Sequence, residues 1–317
     1  MKKLDNRDIQ ILARNTSLNS KDIAELYKDN VYSDKETWIK SSNIALLVLG
    51  IGFMISGIIF FFAYNWDNLN KFAKLGITQA LVIAPILIIL FSKLDSNIKK
   101  IILTAASLLV GVLFAVFGQI YQTGANAYDF FLAWTIFVTI WAFVANFAPL
   151  WILYFVLINT TIILFQLQVA RDWSFVSLMS LLFIINLIPV SIAIYLRDYK
   201  LKQTIPSYFI VVLGLASIAF STIGIIYGIM NDSQGGFVFL IFTALIVYTS
   251  LIWYSLTFKR TFFIALIPFC LVLIICSQLL EISAEWGMIL LICIFIIIST
   301  TQIIKFLNKL NSNKHEN

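Results

Sequence analysis

A run of amides, aromatic rings and one carboxylate follows a long apolar segment near residue 120. Gln119 and Gln122 are three positions apart and share one face of a helix, and Tyr121 and Asp129 lie close to them in the chain. Amides donate and accept hydrogen bonds, carboxylates accept them, and aromatic rings stack on flat groups. We therefore predict that these four residues contribute to a binding site for a small polar solute.

A second polar group follows another apolar segment and consists of Asn65, Trp66 and Asp67. We expect it to lie on the same side of a membrane as the first group, because both come at the end of an odd-numbered apolar segment. The two groups together would form a polar pocket of neutral to negative charge. The alternative interpretation is a belt of interfacial aromatic residues with ordinary helix caps.

The composition of the chain decides which kind of fold presents these residues. Of 317 residues, 61% are hydrophobic and only 12% are charged, and the mean hydropathy is +0.94. Soluble domains average about 45–50% apolar and roughly 25% charged residues. The chain is therefore predicted to be an all-α, polytopic helical membrane protein.

Charge-free stretches of the sequence predict about ten transmembrane helices, since a span needs about 20 mainly apolar residues. The uncharged stretch 130–170 is too long for one helix, and Pro149 marks the expected start of a new one. Merging these two spans would leave nine. The ten predicted spans are 44–64, 73–92, 101–121, 130–146, 148–168, 174–195, 206–230, 237–257, 262–280 and 286–306.

The distribution of basic residues predicts the orientation. With ten spans and an inside N-terminus, the inner segments hold every lysine and arginine except Lys71, Lys74 and Arg171, that is 19 of 22. Cytoplasmic loops are enriched in such residues. With nine spans, the basic residues of the second half of the chain would lie on the extracytoplasmic side, against this rule. Both termini are therefore predicted to be cytoplasmic. The net charge of +6 is explained by topology and anionic lipid, so no nucleic-acid partner is expected.

Several functional classes are disfavoured by what the spans contain. The one histidine, His315, lies near the end of the chain, and no Asp, Glu, Lys or Arg lies at the centre of a predicted span. The three cysteines lie inside spans without metal-binding spacing, and no phosphate-binding glycine loop is present. We predict no catalytic residue, metal site or cofactor, although Asp67 and Asp129 keep an acid–base role open. The balance favours a function other than catalysis.

Uncharged polar and small residues inside the spans are expected to hold the helices together. Amides such as Asn159 and Asn186 commonly form hydrogen bonds between helices in membranes. Two stripes of small residues should form close packing seams and mark the third and seventh spans as central helices. The stripes are Ser107, Gly111, Ala115 and Gly118, and Gly214, Ser217, Ser221, Gly224 and Gly228.

The two ends of the chain differ from the apolar body, which suggests a division into three parts. Residues 1–43 are highly charged and predict two short amphipathic helices, the second capped by Asn19 or Ser20. Residues 44–306 form the predicted transmembrane domain, and 307–317 a cytoplasmic tail. The N-terminal segment either packs on the inner face of the protein or binds a protein partner.

The polar groups also carry a resemblance to a family. Asn65-Trp66-Asp67, the run Gly118-Gln119-Ile120-Tyr121-Gln122-Thr123-Gly124, and Leu18-Asn19-Ser20-Lys21-Asp22-Ile23 resemble bacterial membrane proteins grouped as domain of unknown function 2157. The resemblance covers roughly residues 1–170. It implies a multi-pass protein of the bacterial cytoplasmic membrane and supplies no activity, substrate or cofactor.

Two functional hypotheses follow. In the first, the protein binds or transports a small solute through the polar site on the extracytoplasmic face. In the second, it is a non-catalytic scaffold or assembly partner that acts through residues 1–43.

Overall fold

A computed structural model describes most of the membrane-embedded chain. The described residues are 9, 19, 21–23, 25–26, 35–121, 124, 126–200, 205–231, 235–258, 260–283 and 285–316. They are almost entirely α-helical and contain no β-strand. The chain forms two compact units, Met1–Asn68 with His315–Asn317, and Leu69–Lys314.

Ten helices account for nearly all of the described residues. They are α1 (Lys35–Tyr64), α2 (Lys71–Phe91), α3 (Ser96–Tyr121), α4 (Ala127–Ala145), α5 (Ala148–Gln168), α6 (Phe175–Ile194), α7 (Ser207–Met230), α8 (Phe237–Thr257), α9 (Thr261–Ile282) and α10 (Trp286–Glu316). A π-helical segment, Tyr195–Lys200, continues α6. Each of the ten helices has a segment long and apolar enough to cross a membrane. The prediction of an all-α polytopic membrane protein is confirmed.

The break between the fourth and fifth spans is local and sharp. Asn146 ends α4 in the left-handed conformation, with φ of 42°, and Pro149 lies in the first turn of α5. Proline is well tolerated there because the first amides of a helix have no intrahelical acceptor. The uncharged stretch therefore forms two helices, as predicted.

The N-terminal unit contains α1 and a few described residues before it. Residues 21–23 and 25–26 are helical, and the Asp22 carboxylate accepts a hydrogen bond from the backbone N–H of Asn19 at 3.2 Å. This agrees with a helix that begins next to Asn19. Most of the other predicted N-terminal helix lies outside the described residues.

In the larger unit, α7 is the central helix and packs against α5, α6, α8 and α9. Its small residues allow this close approach. A Cβ added at Gly214 would lie 2.7 Å from the Phe263 ring, and one added at Gly224 would lie 2.7 Å from Cβ of Met179. Ser217 donates a hydrogen bond to the Phe183 carbonyl at 3.0 Å. The predicted packing seam on the seventh span is confirmed.

The stripe on α3 packs along only part of its length. Ser107 and Gly111 are buried beneath the Trp134 ring of α4, and the indole N–H donates to the Ser107 carbonyl at 2.7 Å. Toward the other end of α3, Ala115 is exposed, and among the described residues no atom outside the backbone of α3 lies within 4 Å of a Cβ added at Gly118. The prediction of a continuous seam was therefore wrong for the half of α3 that leads to Gln119.

Two amides join α5 to α6 inside the membrane-spanning region. The Asn159 amide donates to the Asn186 side-chain oxygen at 3.0 Å, and the Asn186 amide donates back at 2.9 Å. Asn186 is fully buried and also donates to the Leu182 carbonyl at 2.8 Å. The reciprocal pair confirms the predicted hydrogen bonding between helices and fixes the register of α5 against α6.

Candidate functional site

The end of α3 presents two of the predicted binding residues to the surroundings. Gln119 and Tyr121 are both exposed, and the Tyr121 ring lies 4.6 Å from the Phe117 ring, centroid to centroid. Gly124 follows in the left-handed conformation, with φ of 62°. Gln122 lies outside the described residues. The exposed pair is free to meet a ligand from the membrane surface.

At the start of α4, the Asp129 side chain stabilises the N-terminal end of the helix. Asn126 is the N-cap residue, and the Asp129 carboxylate accepts a hydrogen bond from the Asn126 backbone N–H at 3.1 Å. Asp129 therefore stabilises the start of α4 from the third helical position, as the acidic residue of a capping box. This bond uses one of the two carboxylate oxygens of Asp129.

Two amides at the end of α5 extend the polar surface beyond the predicted residues. The Gln168 side-chain oxygen accepts from the Tyr128 backbone N–H at 2.9 Å and so joins the end of α5 to the start of α4. Gln166 donates to the Trp173 carbonyl at 3.3 Å. These bonds anchor the loop between α5 and α6 beside the start of α4.

A surface cavity of about 460 Å³ lies next to this loop. The Ser174 and Ser177 hydroxyls both donate to the Gly235 carbonyl, at 2.9 and 3.1 Å, and join the start of α6 to the loop before α8. The cavity is lined by these three residues with Asp172, Trp173 and Leu181. Hydroxyl groups, a carboxylate and an indole ring thus line an open depression whose volume is in the range of small-molecule sites.

The second predicted group lies in the other compact unit. Asn65 and Trp66 are half-buried and Asp67 is exposed, in the turn that follows α1. The Asn65 side chain donates to the Phe61 carbonyl at 3.0 Å and so caps the last turn of α1. The convergence of this group with Gln119 and Asp129 stays a prediction.

Sequence reasoning did not identify the cavity at Ser174 and Ser177. Serines at helix starts are usual N-cap residues, and Ser174 indeed accepts from the Ser177 backbone N–H at 3.1 Å. The partner carbonyl belongs to Gly235, 61 positions from Ser174 in the chain. Only the packing of α6 beside the start of α8 reveals the site. The sequence feature that could have indicated this cavity is the pair Asp172 and Trp173, which lies between two predicted spans.

A charged network occupies the opposite end of α6. Asp198, in the π-helical segment, accepts hydrogen bonds from Arg197 at 2.9 Å and from the Tyr254 hydroxyl at 2.6 Å. Arg197 also donates to the Tyr254 oxygen at 2.7 Å. The Arg197 and Asp198 side chains are only 11% and 10% exposed, and Arg260 approaches Asp198 to 3.7 Å. This network joins α6, α8 and the start of α9.

The described residues contain no group of three His, Cys, Asp or Glu side chains arranged to hold a metal ion. Cys270 and Cys276 are buried and Cys293 is exposed, all within helices.

Comparison with curated proteins and with solved structures gave no match. A family model covers the part of the chain that contains all seven predicted binding residues, from the N-terminal segment to the first turn of α5. The cavity at Ser174 and the charged network at Asp198 lie beyond it. Over residues 16–151 the chain matches the family described as predicted membrane protein, domain of unknown function 2157.

Proposed function

We propose that the protein binds a small polar solute at the membrane face where α3 ends and α6 begins. The observation that carries this proposal is the cavity of about 460 Å³ lined by Asp172, Trp173, Ser174 and Ser177. By the charge distribution of the sequence, this face is extracytoplasmic. Gln119 is exposed at the end of α3, on the same predicted face, and offers a polar side chain with which a solute can first make contact.

The chemistry of the lining defines the solute class. Asp172 supplies a negative charge and hydrogen-bond acceptors, the Ser174 and Ser177 hydroxyls supply further polar groups, and the Trp173 ring offers a flat apolar face. A neutral or cationic solute with several hydrogen-bonding groups fits this combination, and an anion does not. Asp129, Tyr121 and Gln119 likewise offer a carboxylate, an aromatic ring and a hydrogen-bonding side chain, so both surfaces favour the same class of solute.

Replacing Asp172 by Asn tests the site. We expect a neutral or cationic solute from a broad panel of sugars, amino acids and amines to raise the melting temperature of the purified protein. The D172N variant should bind it about 10-fold or more weakly, since a hydrogen bond to a charged group contributes about 1.5–3 kcal/mol. Calorimetric titration of the solute measures the change.

Asp95→Asn is the matched control, because Asp95 is an exposed carboxylate between α2 and α3, at the opposite membrane face. It should leave the affinity unchanged. A panel in which no solute shifts the melting temperature, or equal weakening by D172N and D95N, would count against the proposal.

A second candidate function is assembly with a protein partner through residues 1–43. The supporting observation is that the N-terminal segment and α1 form a compact unit separate from Leu69–Lys314. Under this alternative, deletion of residues 2–34, which precede α1, abolishes co-purification of a defined partner. The D172N variant leaves this co-purification unchanged. Affinity purification of both variants with quantitative mass spectrometry measures this. Retention of every co-purifying protein by the deletion variant contradicts the alternative.

A further inference from the structure

A second cavity, of about 470 Å³, lies among α7, α8 and α9. Its walls are formed largely by aliphatic and aromatic side chains, including Ile241, Ala244 and Leu271. Phe237 lies at one end and Tyr248 toward the other on α8, and Gln278 of α9 is the only amide among the described residues that line it. This composition suits a hydrocarbon ligand and leaves a polar solute without partners.

The cavity opens sideways, toward the bilayer. Ile241, Leu245 and Leu271 line it and are also 40%, 60% and 42% exposed on the outer surface of α8 and α9. Because these helices span the membrane, the medium at this opening is lipid hydrocarbon. The groove is therefore open to lipid chains along its side.

The length of the groove matches one leaflet. Phe237 and Tyr248 are 11 positions apart on α8, which corresponds to about 16 Å at 1.5 Å per residue. Half of a hydrocarbon core of about 30 Å is about 15 Å. The groove thus runs from the membrane surface to the middle of the bilayer.

The two ends of the groove differ in polarity, as the apolar chain end and the polar headgroup end of a lipid do. At the inner end, the Tyr248 hydroxyl is engaged by Ser221 at 2.9 Å and by Thr222 at 3.1 Å, so its polar group already has partners. At the surface end, Gln278 is exposed and lies four positions before the end of α9. Its amide can bond to the ester or headgroup oxygens of a lipid.

We propose that this groove, which we call the lipid groove, binds one acyl chain of a phospholipid from the leaflet at this face, with the headgroup beside Gln278.

Photocrosslinking tests the lipid groove. The protein is reconstituted in nanodiscs with phosphatidylethanolamine that carries a diazirine in its palmitoyl chain, and crosslinked residues are mapped by mass spectrometry. We expect crosslinks to concentrate on Leu245, Leu271 and Ile274. Ala244→Phe places a ring in the groove and should reduce these crosslinks about tenfold, equivalent to ~1.4 kcal/mol of lost affinity. Ala84→Phe is the control, because Ala84 is exposed on α2. This variant should leave the crosslinks in the groove unchanged.

A second variant covers the event that Ala244→Phe does not fold, since Ala244 is buried. Leu271→Trp fills the exposed mouth and should reduce the crosslinks at Leu245 and Ile274 to the same extent. Crosslinking spread evenly over exposed apolar residues such as Trp253 would overturn the proposal. So would unchanged crosslinks in a folded groove variant, or a groove residue crosslinked to a polypeptide instead of lipid.

Discussion

Replacing Asp198 by Ala is expected to reduce the free energy of unfolding by about 1.5–3 kcal/mol, because it removes the acceptor of charge-assisted hydrogen bonds in a partly buried network. The substitution leaves the Arg197 guanidinium, only 11% exposed, without its carboxylate. It also removes the acceptor of the Tyr254 hydroxyl, so α6 and α8 lose a shared contact. Reversible denaturation of the purified protein in detergent, followed by tryptophan fluorescence, measures the loss.

Two further variants of the same network show how much of the stability loss comes from the charge of Asp198 and how much from its hydrogen bonds. Arg260→Ala should cost less than about 1 kcal/mol, because Arg260 is 45% exposed and 3.7 Å from Asp198. Asp198→Asn keeps an oxygen acceptor and should fall between the two. Equal losses for D198A and R260A would show that the network does not stabilise this end of the helices.

The second large effect is expected at Gly111. A Cβ added there would overlap the Trp134 ring, so Gly111→Ala must displace the indole and lengthen its hydrogen bond to the Ser107 carbonyl. Overpacking of this kind typically costs about 1–3 kcal/mol, and the weakened hydrogen bond adds to it. Denaturation in detergent measures the change.

Gly118→Ala provides a close control, because Gly118 lies on the same helix, two turns further along. In the described part of the chain, no atom beyond the backbone of α3 lies within 4 Å of a Cβ added there. It should leave stability unchanged or raise it by about 0.5–1 kcal/mol, since alanine is the better helix former. A G118A variant as unstable as G111A would mean that the open end of the stripe is packed.

The ten helices were predictable because hydrophobic length is a local property of the sequence. An apolar stretch of about 20 residues has few alternatives to a span. Even the break inside the uncharged stretch had a local cause in Pro149. The helix ends observed at Tyr121 and Gln168 coincide with the predicted ends of the third and fifth spans.

The polar contacts were less predictable because they join distant residues. The sequence marks Asn159 and Asn186 as polar, yet only the register of α5 against α6 pairs them, 27 positions apart. Tyr254 and Asp198 are 56 positions apart. For Asp129, the sequence could not decide between a ligand and a helix cap, because one residue type serves both purposes.

The turn at Asn146 has a consequence for biosynthesis. α4 and α5 are joined there by two uncharged residues, Asn146 and Phe147, so no basic residue in the turn holds it on one side of the membrane during translocation. The two helices must enter the bilayer as a hairpin whose direction is dictated by its neighbours. The basic residues that can do so are Lys99 and Lys100 at the start of α3 and Arg197 after α6. Correct insertion of α4 and α5 therefore depends on the neighbouring helices.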